Sequence, residues 1–219
     1  MPLLLTNHPF EHTTFALWQV AEPAEIFEND LPLSAAESEE LRGLRNKRRL
    51  EWLASRWLLH KTTGAPQRMP LAKNAFSKPF FLDQPDLYCS LSHSHGVVGA
   101  LTSIQACGCD IQMMVEKMPR IAPKFLSERE SGFVKQFDHD TQFELFHLFW
   151  TAKESMYKQY GLKALDFRRD IEVTNVHWDG QNGTANGMVQ KDTYTNAYHL
   201  KFGKIEIESA GNLIWAVCL

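Results

Sequence analysis

The chain has 219 residues, of which 44% are hydrophobic, 22% charged and 11% aromatic, the make-up of a globular protein with a full core rather than a disordered one. Lys and Arg number 23 against 26 Asp and Glu, a formal net charge of −3, which excludes a histone-like or tail-type nucleic-acid binder but leaves room for a local basic site. No apolar run approaches the roughly 18 residues of a membrane span, and residues 1–8 lack the basic start and apolar length of a signal peptide.

In chain order, residues 14–20 are expected as a strand by length and β-former content. Pro23 opens a short helix. Ser34-Ala35-Ala36-Glu37 is a capping box, in which hydroxyl and carboxylate satisfy each other's backbone N–H groups. A long helix then runs toward Lys61, with Gly43 as an early interruption and Gly64 as its stop. Proline, glycine and asparagine punctuate residues 64–86, which read as loops with short strands. Residues 87–92 and 97–102 read as buried strands around the turn His93-Ser94-His95-Gly96, and residues 107–112 as another. The cysteines Cys89, Cys107, Cys109 and Cys218 form no C-x-x-C pair, so free thiols in a reducing, cytoplasmic setting are expected. Ser127-Glu128-Arg129-Glu130 is a second capping box. Residues 143–160 form a helix that stops at Gly161. Strands follow at 171–176, 193–202, 205–207 and 213–217, with turns at Asp179-Gly180, Asn182-Gly183 and Ala210-Gly211-Asn212. The fold class is α+β, with two helix-plus-sheet halves meeting near residue 108 and no repeat at residue level.

Four clusters can carry chemistry. On the helix around Trp150, Glu154 and Lys158 are four apart and share a face; by spacing alone this is an ordinary surface ion pair. Asp110 lies inside an apolar strand, after a glycine that permits close backbone approach. Alternation puts Gln112 on its face, and with Glu154 these oxygen ligands would suit Mg²⁺. The competing placement is Asp110 at a solvent-facing strand end. Ser90-Leu91-Ser92-His93-Ser94-His95 can bind phosphate through hydroxyls, imidazoles and turn amides, although most serine-rich turns are only turns. Residues 41–61 hold seven basic side chains against one acid, Glu51, a net of +6. Within them Arg49 and Arg56 are nearly aligned and Arg48 adjoins, on a helix anchored by Trp52, Leu53, Trp57 and Leu58. Lys78 precedes Pro79, which restricts its backbone.

Taken in order, Arg48-Arg49-Leu50-Glu51-Trp52-Leu53-Ala54-Ser55-Arg56, Lys78-Pro79, Ser90-Leu91-Ser92-His93-Ser94, Gly108-Cys109-Asp110-Ile111-Gln112 and Trp150-Thr151-Ala152-Lys153-Glu154-Ser155-Met156-Tyr157-Lys158 resemble the 4′-phosphopantetheinyl transferase superfamily, in its longer, surfactin-type class. The resemblance implies two similar helix-plus-antiparallel-sheet halves, residues 1–108 and 109–219, in a monomer. It implies transfer of 4′-phosphopantetheine from coenzyme A to a serine of an apo acyl or peptidyl carrier protein, with release of 3′,5′-ADP and a need for Mg²⁺. Carried over by position, Asp110 and Glu154 are metal ligands and Glu154 also deprotonates the carrier serine. Lys158 offsets charge on the pyrophosphate. Lys78, Ser92 and His93 hold coenzyme A phosphates, and Arg48 and Arg56 approach the 3′-phosphate. Gln112 departs from the pattern, since many members have Glu there; either its carbonyl is the remaining metal ligand or a water fills that place. The resemblance implies neither nucleic-acid nor membrane partners. Competing readings are a relative that only binds coenzyme A or a carrier, a nucleic-acid module using helix 41–61, and a zinc hydrolase using His93, His95 and Asp110.

Overall fold

The computed structural model describes residues 3–208 and 210–219; Met1 and Pro2 of the N-terminal stretch, and Ser209, lie outside the described residues. The chain divides into two compact units, one ending at Cys107 and the other beginning at Gly108.

The first unit has strands β1 (Leu3–Asn7) and β2 (Thr13–Gln19), helices α1 (Ala24–Asn29), α2 (Ala35–Arg42) and α3 (Asn46–Thr63), and strands β3 (Leu71–Lys73), β4 (Pro79–Phe81), β5 (Tyr88–Ser94) and β6 (Val97–Ser103). Its main sheet is antiparallel in the order β1-β2-β6-β5, and β3 pairs with β4 apart from it. The expected helix from Ser34 to Lys61 is two helices. Gly43 caps α2 and α3 restarts at Asn46, so the interruption is a full break. Gly64 ends α3 in the left-handed conformation, which costs a residue without Cβ nothing. α3 packs on β6 and β2 through Trp52, Leu53, Leu58 and Leu59, which join Leu71, Phe81, Cys89 and Val98 in one core.

The second unit has β7 (Gly108–Met113), helices α4 (Met118–Ile121), α5 (Glu128–Val134) and α6 (His139–Tyr160), and strands β8 (Ile171–Trp178), β9 (Asn182–Lys191), β10 (Tyr194–Ile207) and β11 (Gly211–Cys218). Its sheet is antiparallel in the order β7-β11-β10-β9-β8. α6 lies across it with Leu145, Leu148, Phe149, Ala152 and Met156 buried against Ile171, Leu200, Ile214 and Ala216.

Both capping boxes are formed, Ser34 with Glu37 and Ser127 with Glu130. Several expected boundaries move. The β5–β6 turn is the pair His95-Gly96, with φ of 51° and 86°, so His93 and Ser94 belong to β5. A two-residue turn with both residues at positive φ matches the twist of a hairpin, and the strands run up to it. α6 starts four residues before the expected Phe143, because Asp138 caps it by accepting from the backbone N–H groups of Asp140 and Thr141. The strands expected at 193–202 and 205–207 are one, β10, continuous through Gly203. Strands β1 and β9 were not foreseen. β9 carries five polar residues and two glycines among its ten, which reads as a turn cluster until its neighbours β8 and β10 are in place.

Candidate active site

Gly108 opens β7, and a Cβ built there would collide with the carbonyl oxygen of Ser155 on α6. Glycine lets the strand backbone touch the helix backbone, and the helix presents the small buried residues Ala152 and Ser155 nearby. Two residues along the strand, the buried Asp110 lies with its Oδ1 2.7 Å from Lys158 Nζ of α6. An unpaired carboxylate in that position would cost several kcal/mol; the ammonium offsets it. Burial alone would pull Lys158 down, but the charges of Asp110 and Glu154 outweigh it and hold the ammonium above its ordinary value.

Glu154 sits one turn before Lys158, half-buried. Burial, and then the neighbouring Asp110 charge, push its carboxyl up to about 7, against the pull of Lys158. Two carboxylates therefore share one ammonium, and the cluster carries a surplus negative charge that a proton or a further cation would relieve. Gln112, on the Asp110 face of β7, donates its side-chain amide to the Met113 carbonyl at 2.7 Å, leaving its oxygen as the donor atom to a ligand. Among the described residues no group of three or more His, Cys, Asp or Glu is placed to hold a metal. The local set is two carboxylates and one amide. Its atoms are all hard oxygens, which fits Mg²⁺ and does not fit the nitrogen- and sulfur-rich sites of zinc.

The rest of the Trp150 motif is structural. Trp150 packs edge-on against Phe125 at 5.2 Å and tilted against Phe167 at 5.7 Å. Lys153, fully buried, was given no role from the sequence. Its Nζ donates to the carbonyls of Phe125, Phe167 and Ile171, each at 2.8 Å, and to Glu130 Oε2 at 2.6 Å. Glu130 also accepts from the backbone N–H groups of Ser127 and Val173. The signal for this hub was the capping box itself, whose Glu130 then binds across the core. His147 does similar work further up α6: its Nε2 accepts from the Val115 N–H at 2.8 Å and its Nδ1 donates to Phe143, so burial keeps it neutral and it holds the chain leaving β7.

In the first unit, a cavity of about 210 Å³ brings together Arg48, Trp52 and Arg56 of α3 with Ser92 and His93 of β5, Pro79 of β4, Lys73 of β3 and Glu40 of α2. Arg48, not Arg49, lines it; Arg49 pairs with Glu28 at 2.5 Å and donates to the Leu41 carbonyl. Arg56 is buried and stacks 3.6 Å above the Trp52 ring. Burial lowers it to about 10, with Glu40 opposing, so it stays charged near neutrality. Its buried Nε has no hydrogen-bond partner. Lys78 does not line this cavity. Its backbone N–H is tied to Asn74, while Lys73 and Pro79 on either side reach in. Lys73 and Glu40, which pair with each other, were missed from the sequence. Neither stands at a telling spacing, and only the pairing of β3 with β4 and the packing of α2 bring them here.

Each unit is a helix packed on an antiparallel sheet; the second holds the Asp–Lys–Glu cluster and the first a pocket lined by cationic side chains. The model of the 4′-phosphopantetheinyl transferase superfamily matches residues 106–218, and the chain belongs to that superfamily. The 4′-phosphopantetheinyl transferase Sfp of Bacillus subtilis (strain 168) is 34% identical over 106 residues, 48% of this chain and 47% of that protein. The 4′-phosphopantetheinyl transferase AcpT of Escherichia coli (strain K12) is 32% identical over 123 residues, 53% and 60%. The 4′-phosphopantetheinyl transferase gsp of Aneurinibacillus migulanus is 29% identical over 111 residues, 51% and 46%. The chain spans about half the length of the curated relatives it matches.

Proposed function

We propose that the protein transfers 4′-phosphopantetheine from coenzyme A to a serine of an apo carrier protein, as a member of the long, surfactin-type class. The observation that carries this is the Asp110–Lys158–Glu154 cluster, built on β7 and α6 within the region that matches the family. Asp110, Glu154 and the Gln112 carbonyl would hold Mg²⁺, whose chemistry is to neutralise pyrophosphate charge. Glu154 accepts the proton of the carrier serine. The serine oxygen forms a bond to the phosphorus that bears pantetheine, the bond from that phosphorus to the bridging oxygen breaks, and 3′,5′-ADP leaves. Lys158 offsets the charge that develops on the departing oxygen. In the first unit, Arg48, Arg56, Ser92 and His93 around one cavity supply donors for coenzyme A phosphates, joined by Lys73, and Lys78 is a further donor carried over from the sequence. We further assign a monomer acting in the cytoplasm. No helix among the described residues is long and apolar enough to cross a membrane.

The test mixes the protein with coenzyme A, Mg²⁺ and a panel of apo carrier proteins and follows intact mass. A phosphopantetheine-sized gain that disappears with Asp110→Ala and with Glu154→Ala is expected. No gain on any carrier, or equal gain with those variants, would sink the assignment. The panel also sorts fatty-acid, polyketide, peptide and siderophore carriers.

A further inference from the structure

Glu51 is the one acid within the basic stretch 41–61, and the structure buries it. Its Oε1 accepts the Gly96 N–H at 3.1 Å and lies 3.7 Å from Lys47 Nζ. Its Oε2 lies 3.2 Å from His93 Nδ1. One carboxylate thus ties helix α3 both to the β5–β6 turn and to an imidazole that borders the cationic cavity. The His93 side chain is 55% exposed while that of Glu51 is 8% exposed, so the carboxylate is fixed and the ring is open to a ligand. A carboxylate at Nδ1 requires a proton there, which leaves Nε2 as the ring nitrogen for an incoming group.

We propose that Glu51 is a positioning residue for anion binding: it holds His93 through Nδ1, so that Nε2 is the ring nitrogen presented to a phosphate of coenzyme A. The charged groups around the cavity do not supply this by themselves. Arg48, Arg56 and Lys73 are donors and cannot accept from Nδ1, and Glu40 is already engaged by Lys73, Arg56 and the Trp52 indole. His95, in the adjoining turn, is bonded to the Ser94 hydroxyl. Glu51 is the acid in contact with the ring. This inference rests on the coenzyme A reading above.

Calorimetric titration of coenzyme A into the full chain tests both separately. Glu51→Gln keeps an oxygen for the Gly96 N–H and removes the charge that faces Nδ1. Its Kd is expected to rise about five- to tenfold. Glu51→Gln combined with His93→Ala is expected to bind as His93→Ala alone. A purely structural role of Glu51 would weaken binding again in the His93→Ala background, and that result, or a Glu51→Gln Kd equal to that of the wild type, overturns the proposal. If His93→Ala weakens binding while Glu51→Gln leaves the Kd unchanged, the positioning role falls and the coenzyme A reading stands. If the wild type does not bind coenzyme A, both fall.

Discussion

Lys153 and Lys158 stand five residues apart on α6 and pair with acids in opposite ways. Lys153 is enclosed, with three carbonyls and the Glu130 carboxylate around its ammonium. Burial lowers it, Glu130 opposes that, and every oxygen that faces it belongs to the protein. Lys158 is 27% exposed and faces two carboxylates, one of them with a carboxyl pushed up to about 7. A fully buried network rigidifies its surroundings; a part-exposed one with a perturbed carboxyl can also meet a substrate or ion. The first lysine therefore holds the helix, and the second is the one proposed to act on the substrate.

Breaking the closed pair should have the largest effect. Lys153→Met leaves the Glu130 charge buried without its counter-ion, and urea denaturation is expected to show a loss of about 3–5 kcal/mol. A loss below about 1 kcal/mol would show that the hub does not hold α6. Changing the open cluster should instead spare the fold. Glu154→Gln is expected to slow carrier modification by about 10²- to 10⁴-fold in mass-spectrometric time courses, with the melting temperature kept or raised.

The pH dependence separates the two pairs again. The Glu154 carboxyl sits higher in the folded chain than in the unfolded one, so between about pH 4.5 and about pH 7 the folded state binds more protons and stability falls as pH rises. In metal-free buffer near pH 8, Glu154→Gln should therefore be more stable than wild type by about 2 kcal/mol, and near pH 4 the difference should vanish. Equal stability at both pH values would mean that Glu154 feels neither burial nor Asp110. The smallest effect is expected at Gln112. Gln112→Glu adds a carboxylate to the Asp110 face, and the Mg²⁺ concentration for half-maximal activity should stay or fall a few-fold. A marked loss of activity in that variant would count against Gln112 as a metal ligand.

Much of the local architecture was legible in the chain. Both capping boxes, the helix stops at Gly64 and Gly161, and the buried strand around Asp110 follow from residue chemistry within a few positions. Gly108 was marked as a point of close approach, and α6 is what approaches it. What escaped depends on partners distant in the chain. β9 is too polar to read as a strand by itself, but it has hydrogen-bonding neighbours on both sides. Spacing could not choose between Arg48 and Arg49; Glu28, from a separate helix, takes Arg49.

The sequence by itself determined the fold class and the ordered motifs, because capping, turns and periodicity act over a few residues and the motif residues stand in fixed order. It also named Asp110, Glu154 and Lys158. Tertiary structure decided what each charge does. Spacing along a helix cannot distinguish Lys153, enclosed by four oxygens, from Lys158, part-exposed and paired with Asp110. Nor can it show that Glu51, a lone acid in a basic run, meets an imidazole on a strand more than forty residues away. The worth of a charge is set by burial and by its nearest opposite, and both are properties of the folded chain.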